Sequence, residues 1–156
     1  MEERPKRPVS ASRVTLHQVM LPEHANTLGN IHGGTIMKMV DEAGAIAAMR
    51  HAQRPCVTIA IDSMTFLSPV HVGELLSCAA SVQYVGRSSI EVGVRVHAEN
   101  AITGQLTYTN SAFVVYVALG DDGRPTPVPE LILETDEERR IWEEGKARQL
   151  RRIASR

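Results

Sequence analysis

Two adjacent glycines, Gly33 and Gly34, stand before a nearly apolar run that contains one aspartate, Asp41. Residues 35 to 51 include no proline and are mostly good helix formers, so we predict one helix that begins at the glycine pair. The first N–H groups of a helix have no partner within it and can bind an anion or an oxygen that becomes negative during a reaction. Glycine lets a ligand approach the backbone closely, although a glycine pair is also typical of an ordinary turn.

Asp41 lies two turns along the predicted helix, roughly 12 Å from Gly33 by the standard rise. The other residues on its helical row are Met37, Gly44 and Ala48. Most helix acids are solvated or paired with a cation, but a methionine and two small residues make an apolar, roomy wall. An ionised carboxylate is costly there unless it has polar partners, so Asp41 is a candidate general base. Glu42 follows Lys38 by four residues, and we interpret that pair as structural.

The loop before the helix supplies polar candidates. Asn26 and Asn30 could act in a site, form turns or cap the helix, and His32 could be an acid, a base or a loop hydrogen-bonder. The six histidines show no metal-ligand spacing, so we predict no metal. Cys56 and Cys78 lie in apolar, strand-like contexts and read as buried hydrophobes. Without a nucleophile elbow, a hydrolase would have to activate water with a carboxylate.

Length and composition limit the possible classes of protein. The chain has 156 residues, 43% of them hydrophobic, and a formal net charge of -1. These values predict one domain with no general attraction to nucleic acid or to anionic membranes. The apolar runs are shorter than the roughly 20 residues of a membrane span, and the first residues lack an apolar signal core. We therefore expect a cytoplasmic protein.

The order of elements predicts an α+β fold. Residues 1 to 12 are polar and are interpreted as a loose arm, and RVTLHQVML is typical of a first strand. Four β-rich segments joined by short turns follow the helix, which indicates an antiparallel sheet: PCVTIAIDSMTFL, GELLSCAASVQYVG, SSIEVGVRVHAEN and QLTYTNSAFVVYVAL. Alternation in the third segment predicts one face toward a core and the other toward solvent. A proline-rich connector and a charged terminal helix end the chain.

The apolar residues of the central helix exceed what one sheet face requires. Its core stripe is Ile36, Val40, Ala43 and Ala47. Four further apolar residues lie near the opposite face: Met39, Ala45, Ile46 and Met49. A helix that is apolar nearly all round is usually enclosed, so either the sheet curls around it or a second subunit covers it. The simplest arrangement is an isologous dimer.

Several stretches in this order resemble the hotdog-fold acyl-CoA thioesterases, specifically the cytosolic (brain-type) acyl-CoA hydrolases and their bacterial relatives. The stretches are LPEHANTLGNIHGGTIMKMVDEAGAIAAMRH, FLSPVHVGELL, VQYVGRSSIEVGVRV and VPELILETDEERRIWEEGKARQ, and the resemblance covers about residues 12 to 150. It implies a five-stranded antiparallel sheet wrapped around one long helix, with an extra C-terminal helix. The single hotdog domain would span residues 12 to 120, and the connector and C-terminal helix would span 121 to 156.

The resemblance also implies a site shared between subunits. Asn26 of one subunit would act with Asp41 of the other. Asp41 would serve as a general base on water, or it would attack the thioester directly to form an anhydride. The amides of Gly33 and Gly34 would polarise the thioester carbonyl, and His32 would line the loop that holds it. The segment Gly86, Arg87, Ser88 and Ser89 resembles the part that family members place near coenzyme A (CoA), although such residues are also typical of a hairpin turn.

The implied activity is hydrolysis of fatty acyl-CoA, of medium to long chain, to a fatty acid and CoA. No cofactor is expected, because CoA is part of the substrate and of the product. The implied assembly is a homo-oligomer, with hotdog dimers arranged as a trimer of dimers. The chain has no internal repeat and carries both Asn26 and Asp41, so a homodimer would form two sites. The alternative is a non-hydrolytic acyl-CoA-binding or regulatory hotdog module, since fold does not dictate activity.

Overall fold

The computed structural model describes residues 3–62 and 64–155, and within them the chain forms seven strands and two long helices. In chain order these are β1 (Lys6–Pro8), β2 (Val14–Val19), α1 (Gly33–Ala52), β3 (Cys56–Asp62), β4 (Leu75–Val85), β5 (Ser89–Glu99), β6 (Leu106–Ala118), β7 (Glu130–Ile132) and α2 (Asp136–Ala154). None of the helices in the described residues is both long and apolar enough to cross a membrane.

The main sheet has five antiparallel strands in the order β2-β4-β5-β6-β3, so β2 and β3 are its edges. Helix α1 lies against one face and contacts all five strands. Val40, Ala43 and Ala47 are completely buried in that contact. Their spacing places them on one side of a 3.6-residue helix, which explains why this face meets the sheet. The predicted α+β fold, its central helix and its core stripe are confirmed.

Two expectations about α1 are wrong. Met39 is buried at 5% exposure and belongs to the core, whereas Met37 and Met49 are the exposed methionines, at 39% and 41%. The helical ion pairs of the described chain are all in α2, so the predicted pair between Lys38 and Glu42 is absent from it. Of the other residues predicted near the outer face, Ala45 and Ile46 are half-buried.

The N-terminal residues are not a loose arm, at least from residue 3 onward. Strand β1 pairs with β7 in parallel, with Lys6 opposite Glu130. Val9 is buried, and the Ser12 hydroxyl donates to the Val9 carbonyl and accepts from the Val82 amide. These hydrogen bonds satisfy backbone groups that would otherwise bond to water, and they attach the N-terminal segment to β4 and β7.

Helix α2 covers one end of the sheet face opposite α1. Trp142 packs on Tyr84 with ring centroids 5.2 Å apart. Gly145 is buried so close to Tyr84 that a Cβ at this position would lie 2.7 Å from the Tyr84 Cβ. The prediction that the second face of β5 meets solvent is therefore wrong at Glu91, which is 1% exposed beneath α2. It is wrong also at Gly93, which is buried under the Gln83 side chain.

Candidate active site

Asp41 is partly buried on the side of α1 that faces β3 and β6. The Thr58 hydroxyl donates to Asp41 Oδ1 at 2.8 Å, and the Tyr116 hydroxyl lies 3.0 Å from the same oxygen. Tyr116 is also 2.9 Å from the Asp41 backbone carbonyl. These hydroxyls are the polar partners that an ionised carboxylate requires in an apolar setting. Asp41 therefore has two hydroxyl partners at the edge of the core.

The two hydroxyl donors are placed by the sheet. Thr58 and Tyr116 are directly opposite in the β3–β6 register, and a bulge at Ile59 follows Thr58. Bulges re-aim neighbouring side chains, and here Thr58 points to α1 while Ile59 is 53% exposed. One side chain from each strand therefore reaches the same carboxylate.

Tyr116 is completely buried. Burial raises the pKa of its phenol well above the ordinary value, and the nearby Asp41 charge and the hydrogen bond to it raise the pKa further. The phenol therefore stays protonated at every physiological pH and acts as a donor toward Asp41. It cannot serve as a base.

The helical row of Asp41 is not the roomy wall that its small residues indicate. A Cβ at Gly44 would lie 2.3 Å from the Tyr116 hydroxyl and 3.1 Å from the ring carbon that bears it. Gly44 therefore makes room for a tyrosine of the same chain. The polar environment of Asp41 depends on this close approach.

The first two backbone N–H groups of α1 have no hydrogen-bond partner among the described residues. The His32 carbonyl accepts hydrogen bonds from the Thr35 and Ile36 amides, whereas Gly33 and Gly34 donate none to residues 3–62 or 64–155. Phe66 covers Gly33, with its ring 3.3 Å from where a Cβ would stand, and nothing lies within 4 Å of such an atom at Gly34. Two N–H groups at a helix N-terminus form an anion or oxyanion site in general.

Asn26 shapes the loop before α1. Its Oδ1 accepts from the amides of Leu28, at 2.9 Å, and Asn30, at 3.2 Å, while its own amide donates to the Asn30 carbonyl at 2.7 Å. Within the described chain its Nδ2 makes no hydrogen bond, so the carboxamide still has donors to offer. Asn26 thus performs the turn role and keeps an amide group for a ligand. His32 is exposed at the N-cap and gives no side-chain cap.

Residues 86 to 89 form the turn between β4 and β5. The Gly86 amide donates to the Ser89 carbonyl at 2.9 Å, and the Ser89 hydroxyl donates to Gln149 of α2 at 3.3 Å. The Ser88 carbonyl accepts from the Ala118 amide. The hairpin alternative is therefore correct as a description of the fold. Arg87 is exposed, and its side chain forms no ion pair with the described residues, so it can still meet a ligand.

This turn and the glycine pair lie at opposite ends of α1 within one chain. The Arg87 carbonyl accepts from the Val128 amide, and the adjacent Pro129 carbonyl accepts from His51 Nε2, at 2.7 Å, in the last turn of α1. A helix of 20 residues is about 30 Å long. One chain therefore does not bring residues 86 to 89 to Gly33.

Sequence analysis missed Thr58 and Tyr116. Neither has a local spacing to Asp41, because both reach it through strand pairing. The one available signal was a tyrosine at a core-facing position of β6, since a buried phenol needs a hydrogen-bond partner. Burial raises the pKa of the Cys56 and Cys78 thiols to about 11 and about 12, so neither is a ready nucleophile. The described residues contain no cluster of potential metal ligands.

Comparison with known proteins identifies the family. A model described as the thioesterase superfamily matches residues 28–104. The acyl-CoA thioester hydrolase YciA of Salmonella typhimurium is 34% identical over 119 residues, covering 74% of this chain and 90% of YciA. A solved hexameric acyl-CoA thioesterase is 40% identical with a TM-score of 0.91, covering 97% of each chain. The chain belongs to the thioesterase superfamily.

This thioesterase also resembles the acyl-CoA hydrolase of Staphylococcus aureus, solved with butyryl-CoA and CoA. That protein is 33% identical with a TM-score of 0.86, covering 97% of this chain and 94% of the other. The resemblance inferred from the sequence and the hotdog fold are confirmed. The protein is a thioester hydrolase that acts on acyl-CoA.

Proposed function

We propose that this thioesterase hydrolyses fatty acyl-CoA of medium to long chain at sites shared between two subunits, with Asn26 from one and Asp41 from the other. The observation that carries the proposal is the position of Asp41. Its carboxylate is held by Thr58 on β3, and β3 is an edge strand. A second subunit that pairs with β3 would therefore border the carboxylate.

The spacing of the mutated residues in the S. aureus hydrolase supports this assignment. Its solved structures include single alanine mutants of an asparagine, an aspartate and a threonine, separated by 15 and 17 residues. Asn26, Asp41 and Thr58 have the same separations in this chain. We therefore include Thr58 in the proposed site.

The exposed side of β3 fits a second copy of the chain. Val57 and Ile59 are 42% and 53% exposed, and the segment after β3 exposes Phe66 and Leu67 at 44% and 63%. Edge strands with apolar side chains tend to pair with other strands. A two-fold axis beside β3 would join the two sheets and would form two equivalent sites in each dimer.

Each proposed residue has one chemical task. Asp41 takes a proton from water or attacks the thioester carbon, and Nδ2 of Asn26 orients the water or the thioester. The amides of Gly33 and Gly34 hold the carbonyl oxygen, beside His32. A general base is worth about 10² to 10⁴ in rate, and one oxyanion donor about 10² to 10³. These groups and water complete the reaction without a cofactor.

The substrate would extend beyond the reacting carbonyl in two directions. The exposed methionines of α1, Met37 and Met49, offer apolar surface on the helix for an acyl chain. Each methylene group of the acyl chain that is buried contributes about 0.8 kcal/mol to binding, which favours longer chains until this surface is covered. Arg87 is the proposed partner of a CoA phosphate, in the turn formed by Gly86, Ser88 and Ser89.

We further propose that three dimers form a hexamer, and the description of a 40% identical relative as hexameric supports the subunit number. Helix α2 covers only one end of the outer sheet face. At the other end Val19 and Leu106, in the same row across the sheet, are 50% and 58% exposed, and Tyr108 is 43% exposed. This surface is distinct from the β3 edge and could join dimers to one another.

The test is complementation between inactive subunits. Asn26→Ala and Asp41→Ala are purified separately, and CoA release from acyl-CoA of increasing chain length is measured for each. Both are expected to be inactive alone, and subunit exchange in a mixture is expected to restore one complete site per mixed dimer. Full activity of Asp41→Ala would refute its assignment, and a mixture that stays inactive after verified exchange would refute the shared site.

A further inference from the structure

We infer that Tyr116 is a positioning residue of the active site. Together with Thr58 it holds Oδ1 of Asp41, so that Oδ2 is the oxygen that reacts. The inference rests on the proposed catalytic role of Asp41 and specifies which of its two oxygens carries it.

Both hydroxyl donors converge on the same carboxylate oxygen. Thr58 Oγ1 is 2.8 Å and the Tyr116 hydroxyl 3.0 Å from Oδ1, whereas Oδ2 accepts no hydrogen bond from residues 3–62 or 64–155. An oxygen with two donors has its lone pairs engaged, while the free oxygen keeps its lone pairs for a proton or a carbon. The asymmetry therefore designates Oδ2 as the base or nucleophile.

Tyr116 fixes more than one atom of Asp41. Its hydroxyl is close both to Oδ1 and to the Asp41 backbone carbonyl, at 2.9 Å. A single group therefore spans the side chain and the helix backbone and restrains the rotation of the side chain. Thr58, which lies opposite Tyr116 in the sheet, approaches from the edge strand. Such restraint matters because an error of about 1 Å in the position of a catalytic group can lower a rate about 10²-fold.

Hydrolysis can proceed through Oδ2 either with Asp41 as a general base or with Asp41 as the nucleophile. With water as the nucleophile, Oδ2 accepts a proton from water, a C–O bond forms at the thioester carbon, and the C–S bond breaks. The same proton then passes to the CoA sulfur, so that the products are a fatty acid and a thiol. By direct attack, Oδ2 forms the C–O bond itself and the C–S bond breaks, which releases the CoA thiolate. Water then cleaves the anhydride to the fatty acid and the Asp41 carboxylate, and a proton from that water passes to the thiolate. Oδ1 keeps its two donors throughout.

The principal test is Tyr116→Phe, which removes one hydroxyl and retains the ring. Loss of orientation is expected to lower kcat roughly 10-fold, with KM unchanged, because Tyr116 is completely buried and acts through Asp41. The pH–rate profile is also expected to differ from that of the wild type, because the Asp41 carboxylate loses one of its two donors. A change in thermal stability alone, with kcat and the pH profile as in the wild type, would overturn the inference.

Gly44→Ala tests the same contact without altering the tyrosine. The added Cβ would lie 2.3 Å from the hydroxyl and must displace it. Gly44→Ala should therefore lower kcat and change the pH–rate profile as Tyr116→Phe does, and the effects of the two substitutions should not add in the double variant. If Tyr116→Phe does not fold, an unchanged pH profile in folded Gly44→Ala still refutes the inference.

Tyr84→Phe is the matched control, because Tyr84 packs on Trp142 on the opposite side of the sheet. It is expected to leave kcat and the pH profile unchanged. Asp41→Asn separates this inference from the proposed function. Retained activity in Asp41→Asn would refute the catalytic role of Asp41. An inactive Asp41→Asn with a wild-type profile in Tyr116→Phe would refute only the role of Tyr116.

Discussion

Arg148 of α2 forms a bidentate ion pair with Glu91 of β5, with Nη2 2.6 Å from Oε1 and Nε 3.2 Å from Oε2. The Glu91 side chain is completely buried, and the guanidinium of Arg148 also lies 3.6 Å from the centroid of the Phe113 ring. Arg152 contacts the second oxygen of Glu91 at 3.1 Å and Asp62 at 2.5 Å. The ion network fastens α2 to the sheet and to the end of β3.

Glu91→Ala should destabilise the fold strongly. It leaves two largely buried guanidinium groups without their shared partner, and breaking a buried pair in this way typically costs about 3 to 5 kcal/mol. The free energy of unfolding from urea titrations is the measurement. Glu144→Ala is the control, because Glu144 pairs with Arg140 at an exposed site on the same helix and should shift the midpoint little. Equal effects of the two substitutions would contradict this reading of the network.

His51 should make the protein less stable in mild acid. Burial lowers the pKa of its imidazole below 6.5, with the charges of Arg7 and Arg4 adding to the effect and the hydrogen bond to Pro129 opposing it. The unfolded chain therefore binds more protons in this range, so the free energy of unfolding falls as the pH drops below about 6.5.

His51→Gln keeps a donor for the Pro129 carbonyl and removes the titration. The loss of Tm between about pH 8 and about pH 5 should be smaller in this variant than in the wild type, as measured by calorimetry. An identical loss in the two proteins would show that other groups account for the pH dependence.

Thiol reagents should leave the activity intact. The Cys56 and Cys78 thiols have pKa values of about 11 and about 12 because of burial, so almost none of either is the reactive thiolate near neutral pH. Treatment with iodoacetamide, followed by mass spectrometry and an assay of thioester hydrolysis, is the measurement. Rapid alkylation with loss of activity in the folded protein would contradict the prediction.

Ile59→Lys should separate subunits and abolish activity together, if β3 is the dimer edge. The substitution places a charge on a side chain that is 53% exposed and that the proposed interface would bury. Light scattering gives the subunit number, and thiol release gives the rate. Leu150→Lys is the control, since Leu150 is similarly exposed, at 59%, on α2. A dimeric and active Ile59→Lys would place the interface elsewhere.

Leu106→Asp addresses the proposed contact between dimers. The charge would lie on the open end of the outer sheet face, so a hexamer should dissociate to dimers that remain active, because the β3 edge is untouched. Light scattering of the wild type and the variant at equal concentration checks this. A hexamer that persists in the variant would exclude this surface.

The sequence predicted the parts of the fold that depend on local pattern. The period-3.6 burial in α1 and the buried apolar face of β5 both appear where their apolar residues indicate. Glu91 shows the limit of such patterns. Its place in the alternating sequence of β5 indicates exposure to solvent, but α2, which is distant in sequence, covers it. Met39 shows the same limit on α1, because the angular range covered by a curved sheet depends on tertiary packing.

The residues of the site also fall into two groups, those that could be predicted from the sequence and those that could not. Asp41, Gly33 and Gly34 could be proposed from their types and their places on one helix. Thr58 and Tyr116 could not, because their contact with Asp41 depends on the register of two strands that begin 15 and 65 residues after it along the chain. Gly44 was misread for the same reason, since its small size serves a side chain from β6.

The contact at Gly44 has a consequence for protein engineering. Glycine inside a helix is about 1 kcal/mol less favourable than alanine, and glycine-to-alanine replacement in helices is a routine way to raise the melting temperature. At Gly44 such a change would improve the propensity of α1 while displacing the Tyr116 hydroxyl. Overpacking at a buried position typically costs about 1 to 3 kcal/mol, which outweighs the gain in propensity, so alanine here would lower both the melting temperature and the rate. Libraries built to stabilise this thioesterase should keep Gly44 fixed.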